Sequence, residues 1–187
     1  MKHAILILFV FFSFAFQPCF AQDDEISEEE LELLMEEFRS DFKTVVKDFP
    51  NNFQNIKGAK ITDEANYESL IPLNLAEESY LSPRTFTDEL AFVAVCGEFE
   101  DEEVAKNVHA LVKYLIETTK FDFSLLSKQI DNENEMMDYW LVWDLNSDRF
   151  SNMVIKLRRF SVPTFNFDPG MPSETYHVVI NIERIKS

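Results

Sequence analysis

Few side chains in this sequence can do chemistry, and their spacing decides which chemistry is open to them. The chain has three histidines, at 3, 109 and 177. It lacks a His-x-x-x-His pair and a cysteine cluster, so a transition-metal centre would have to be assembled from scattered residues. His177, with a serine and a carboxylate, could run acid–base or nucleophilic hydrolysis, but no Gly-x-Ser-x-Gly turn presents a nucleophile. The three glycines stand apart at 58, 97 and 170, too far from one another to cradle a phosphate. Carboxylates are so abundant, 34 in all, that no one pair is singled out for glycoside cleavage.

The run Asp131-Asn132-Glu133-Asn134-Glu135 sets oxygen ligands at alternate positions, as a calcium loop does. Met136 then falls where the sharp turn wants glycine, and Val142 where a bidentate glutamate belongs. A solvated acidic turn accounts for it better. Cys96 sits inside an apolar run and reads as a small buried hydrophobe; no helix start or cationic neighbour is in place to make it a reactive thiolate.

Unlike polar types meet in one pattern. Asp138, Trp140 and Asp144 alternate with apolar residues in one stretch, Lys156 and Arg158 in the next, and His177, Asn181 and Glu183 in the last. On paired strands these would share the wetter face of a sheet. Cross-strand ion pairs there are worth a few tenths to ~1 kcal/mol each and need have no function. A Trp beside Arg and Lys would also suit an anionic or sugar-like ligand, or the hot spot of a protein partner. The candidate binding residues are therefore Trp140, Lys156, Arg158 and His177, with no catalytic set, metal site or cofactor assigned. Phe165 and Phe167 are a second candidate contact, with folding back over the core as their plainer role.

These residues need elements to position them. Ser27-x-x-Glu30 ahead of an apolar run has the form of a capping box. Leu31, Leu34, Met35, Phe38, Phe42, Val45, Val46 and Phe49 then form one stripe at helical period, stopped by Pro50. Residues 51–83 are mixed, with an edge strand expected between Tyr67 and Leu75. Leu90–Phe99 is apolar on both faces and predicts a central strand. Asp101 can cap a second helix, whose buried stripe is Val104, Val108, Leu111, Val112 and Leu115. Phe121–Ile130 is expected to add helical turns. Three strands follow, around Met137–Leu145, Met153–Leu157 and Tyr176–Ile182, with a hairpin turn at Asn146-Ser147-Asp148 and a Pro/Gly loop at Phe165–Ser173. Clean alternation points to antiparallel pairing, and a right-handed crossover would follow if Tyr139–Leu145 ran parallel to Leu90–Phe99. The expected fold is α+β, an antiparallel-rich mixed sheet of four to five strands with two main helices on one face.

At the start, Met1-Lys2, an apolar run from Ala4 to Phe16, Pro18 and Ala21 before Gln22-Asp23-Asp24 predict a secretory signal peptide over residues 1–21. Thirteen apolar residues fall short of the ~20 that span a bilayer. Its Phe-rich middle and Ala-Gln junction resemble the leaders of exported Bacteroidetes proteins, which implies a periplasmic or extracellular destination. Cleavage after Ala21 would take 21 of 187 residues and leave 166, one acidic domain over 22–187 with 34 acidic against 16 basic side chains, net −18. Cys96 would then be the lone cysteine, without a disulfide partner. A field of that sign opposes phosphate backbones and anionic membranes as partners. What remains is a protein or envelope component bound by a non-enzymatic domain, with a hydrolase using a carboxylate or His177, or a divalent-metal binder at the acidic loop, as alternatives.

Overall fold

A computed structural model of the chain describes residues 27–62, 64–85, 87–130, 139–145, 150, 152–164 and 173–184; for 127–130, 139–145, 164 and 173 it describes the backbone. The expected signal peptide, the acidic run 131–135, the hairpin turn expected at 146–148 and the loop expected at 165–172 lie outside these residues.

Helix α1 spans Glu28–Asp48 and starts on the capping box: Glu30 N–H donates to Ser27 Oγ at 3.2 Å while Ser27 N–H donates to the Glu30 carboxylate at 2.9 Å. Three glutamates in its first turn face the positive end of the helix dipole. Leu31, Met35, Phe38, Phe42, Val45 and Val46 are buried, the stripe that the 3.6-residue period predicts. Past a 3-10 turn at Phe49–Asn51, the chain reverses through left-handed Asn52 and Phe53. Buried Asp48 holds this corner, accepting Asn55 N–H at 2.9 Å and the Asn55 and Asn51 side-chain amides at 2.6 and 3.3 Å. The Asn52 side chain in turn accepts Leu90 N–H at 2.9 Å, tying the corner to the central strand.

Among the described residues eight strands form one sheet: β1 Lys57–Lys60, β2 Tyr67–Ser69, β3 Glu78–Pro83, β4 Leu90–Phe99, β5 Leu125–Ile130, β6 Tyr139–Leu145, β7 Met153–Thr164 and β8 Ser173–Arg184. Their order is β1-β2-β3-β4-β8-β7-β6-β5, and every neighbouring pair is antiparallel. The fold is α+β as the patterning implies. The sheet is wider than four to five strands, because residues 57–83 supply three short strands and Leu125–Ile130 a fourth. That last segment was expected to be helical; instead its backbone pairs with β6 from Leu125↔Leu145 to Ile130↔Trp140. A six-residue segment is too short for period to separate helix from strand, and the open edge of β6 captures it. Nor does β6 run parallel to β4. The alternating directions give β2, β7 and β5 the direction of β4, and the strand that follows β4 in the chain, β5, lies beyond β8, β7 and β6.

Helix α2, Glu102–Thr118, makes that crossing. Asp101 caps it, its carboxylate accepting Glu103 N–H at 2.8 Å. Ala105, Val108, Leu111, Val112, Leu115 and Ile116 are buried on the sheet, where α2 touches β4, β7 and β8. Arg39 of α1 donates to Thr118 of α2 at 3.3 Å. Both helices share one core with Phe92, Ala94 and Cys96 of β4, Met153, Ile155 and Leu157 of β7, and Val178, Ile180 and Ile182 of β8. Burying a side chain of that size is worth about 1.5–3 kcal/mol, so this layer holds the sheet's shape. Among the described residues no helix packs on the sheet's other face, which carries the site.

Candidate functional site

Alternation along β7 and β8 decides what reaches the second face. With Ile155, Leu157, Ile180 and Ile182 fully buried in the core, Val154, Lys156, Arg158, Phe160 and Val162 of β7 project the other way, as do His177, Val179, Asn181 and Glu183 of β8. The register sets Lys156 opposite Asn181, Arg158 opposite Val179 and Phe160 opposite His177. Three of the four residues singled out by the sequence thus lie together. The fourth, Trp140, occupies the β6 position opposite Arg158, which puts it in the same row across the strands.

Each cation reaches diagonally to the next pair. Lys156 Nζ forms an ion pair with the Glu183 carboxylate, and Arg158 Nη2 donates to Asn181 Oδ1 at 2.6 Å. The Arg158 guanidinium lies 5.8 Å from the centre of the Phe160 ring, and that ring stacks on His177 at 5.2 Å and 12°. A planar cation and two parallel rings therefore run in a row along the face. Partial burial pushes the Arg158 pKa down from its usual range, with the Glu183 carboxylate and Tyr80 opposing it. Burial likewise raises Tyr80 on β3, helped by Glu78 and Glu64. Val93, Val154 and Val179, on this same face, are nearly inaccessible at 6, 2 and 5%. Val162, toward the far end of β7, is 43% exposed.

Glu98 closes the row, its Oε1 3.4 Å from His177 Nδ1. It gets there through a bulge. Between Val95↔Val179 and Gly97↔Val178 the register shifts by one residue. Simple alternation would put Glu98 on the core face with Phe92 and Cys96; the extra residue turns it over to face His177 and returns Phe99 to the core side. Gly97 has φ 146°, and a Cβ there would meet the Phe99 ring at 2.4 Å, so only glycine fits. Sequence reading missed Glu98, Phe160 and Tyr80. An isolated glycine inside an apolar strand was the available signal for the bulge; the rings came into view only with the register.

Other candidates fare differently. Cys96 is buried in the core and its thiol is pushed up to about 12 by burial, with Glu77 adding to it, an inert thiol as expected. His109 lies buried in α2, on the core side of the sheet and far from the row in topology. An open depression at the C-terminal end of α2, lined by Glu117, Thr119, Lys120, Phe121, Phe123, Ser124 and Leu125, contains none of the candidate residues. Among the described residues no group of three or more His, Cys, Asp or Glu side chains is placed to hold a metal ion. Comparison with protein-family models, curated proteins and solved structures finds no match.

Proposed function

We propose that this chain is an exported acidic domain that binds a protein or envelope component through the second face of its sheet, without catalysing a reaction. The row Arg158–Phe160–His177, pinned by Asn181 and Glu98, supports this reading. Aromatic rings and a hydrogen-bonded arginine, half-buried and held in place before any partner arrives, are the residue types that dominate binding hot spots. Their placement on neighbouring strands of one rigid sheet lowers the ordering cost of association. Capture of partners from an envelope extract of the expressing organism, repeated with Trp140→Ala and Arg158→Ala proteins, tests the reading. Loss of the same partner in both variants supports it, and partners that ignore both substitutions sink it. For export, the secreted protein should begin at Gln22 on N-terminal sequencing; a retained Met1 rejects the leader.

A second reading, hydrolysis, draws on the His177–Glu98 approach, since a carboxylate at Nδ1 fixes the tautomer of a general base. Turnover of an activated ester, abolished by both His177→Ala and Glu98→Gln, would decide for it.

A further inference from the structure

Among the described residues, the most exposed charges on the second face are negative. Lys156 and Arg158 are both partly buried and joined to Glu183 and Asn181. Glu68 on β2, Glu78 on β3 and Glu98 on β4 are exposed, and the register places all three on this face: Glu68 opposite Tyr80, Glu78 opposite Val95 and Glu98 opposite His177. They flank the aromatic row on its β4 side. Glu98 is the most telling, because it is 61% exposed at the side chain and the Gly97 bulge is what delivers it to this face. The chain as a whole carries net charge −17, so its long-range field draws cations toward a face whose outermost groups already match them.

From this charge pattern we infer that the face takes a basic, arginine-bearing segment of a partner protein, not the anionic ligand that Lys156 and Arg158 suggest when read as free cations. This rests on the reading that the face binds a partner, and it names the partner's chemistry. A guanidinium suits both halves of the surface. It stacks flat on an aromatic ring such as His177, and its donor fork pairs with a carboxylate such as Glu98. The cations of the face then serve as internal struts: Arg158 braces Phe160 from one side while Asn181 holds Arg158. Lys156 ties Glu183, and among the described residues the β4-side carboxylates are the most exposed charges of the face.

The test uses isotopically labelled protein titrated with two synthetic peptides of equal length, an Arg-Ser repeat and a Glu-Ser repeat. The Arg-Ser peptide should shift the backbone amides of Glu98, Phe160 and His177. Glu98→Gln, a change at an exposed site that leaves the fold intact, should weaken its binding about tenfold, as expected for one charge-assisted contact. A double Glu29→Gln/Glu32→Gln change on the outer face of α1 should alter it less than about twofold, since removing distant exposed charge is screened. Equal losses from the two variants would overturn the inference, because the attraction would then belong to net charge and not to this face. Shifts at the same amides caused by the Glu-Ser peptide would overturn the preference while leaving the face a binding surface. Silence of those amides toward both peptides overturns the inference as well, and the Trp140→Ala and Arg158→Ala captures then judge the binding reading separately.

Discussion

His109 shows how one side chain can record its surroundings in a measurable curve. It is 5% exposed between α2 and the sheet, and its pKa is lowered to about 4, first by burial and then by the nearby positive charges of Arg159 on β7 and Lys113 on its own helix. Glu102, 4.0 Å from Arg159, is the carboxylate that faces this group of cations. A histidine whose folded pKa is depressed leaves stability untouched above the unfolded value near 6.5. Below it the unfolded chain takes a proton that the folded chain refuses, so stability falls until about pH 4, where the folded form also protonates. Urea unfolding of the native protein at pH 7.5 and pH 5 should therefore differ from that of His109→Leu by a loss of about 2 kcal/mol specific to the native histidine. The comparison between the two proteins cancels the carboxylates, which titrate in both. Identical pH slopes would mean that the imidazole is solvated after all.

At the level of the element, β4 carries the largest consequence for the least sequence. One inserted residue at Cys96-Gly97 turns Glu98 from core to surface, and the ring of Phe99 occupies the space that any side chain on residue 97 would need. Gly97→Ala should cost about 1–3 kcal/mol through left-handed strain and displacement of Phe99. It should also weaken any binding that depends on Glu98, whereas a substitution at Leu126, exposed on outer strand β5, should change neither. Thermal melts and the peptide titration read the two effects separately; a melt unchanged in Gly97→Ala would remove the bulge from the account. The same strand marks the limits of reading sequence alone. Alternation in β7 and β8 and the stripe of α1 were legible because one face of each is more deeply buried than the other, a contrast that leaves a period in the sequence. Residues 57–83 leave none: β1 and β2 are four and three residues long, and Pro83 stands at the end of β3. Leu125–Ile130 was misjudged because its state depends on the unfilled edge of β6, a tertiary fact with no local trace. Of the site, Lys156, Arg158 and His177 were legible by strand parity, whereas Glu98 required a parity break.

Across the whole molecule, charge sets two effects of opposite sign. Thirty-four acidic residues face seventeen basic ones, and the exposed pairs between them, such as Lys106 with Glu102 and Glu103 or Arg39 with Glu36, are contacts within single helices worth a few tenths of a kcal/mol each. The remaining acidic excess repels itself through solvent, and compaction works against that repulsion. Raising ionic strength from about 0.01 to 0.15 M shortens the screening length from about 30 to 8 Å, less than the spacing between the ends of a helix such as α1. Repulsion summed over the surface should then fall more than the local pairs weaken. The melting temperature should rise by a few degrees, since about 1 kcal/mol moves it by 2–4 °C in a chain of this size. Over the same range the affinity for the Arg-Ser peptide should drop, because screening removes the field that draws it in. Scanning calorimetry and peptide titration in matched sodium chloride series measure both slopes. A melting temperature that falls with salt would show that the ion pairs outweigh the excess charge, and would take away the long-range attraction on which a basic partner depends.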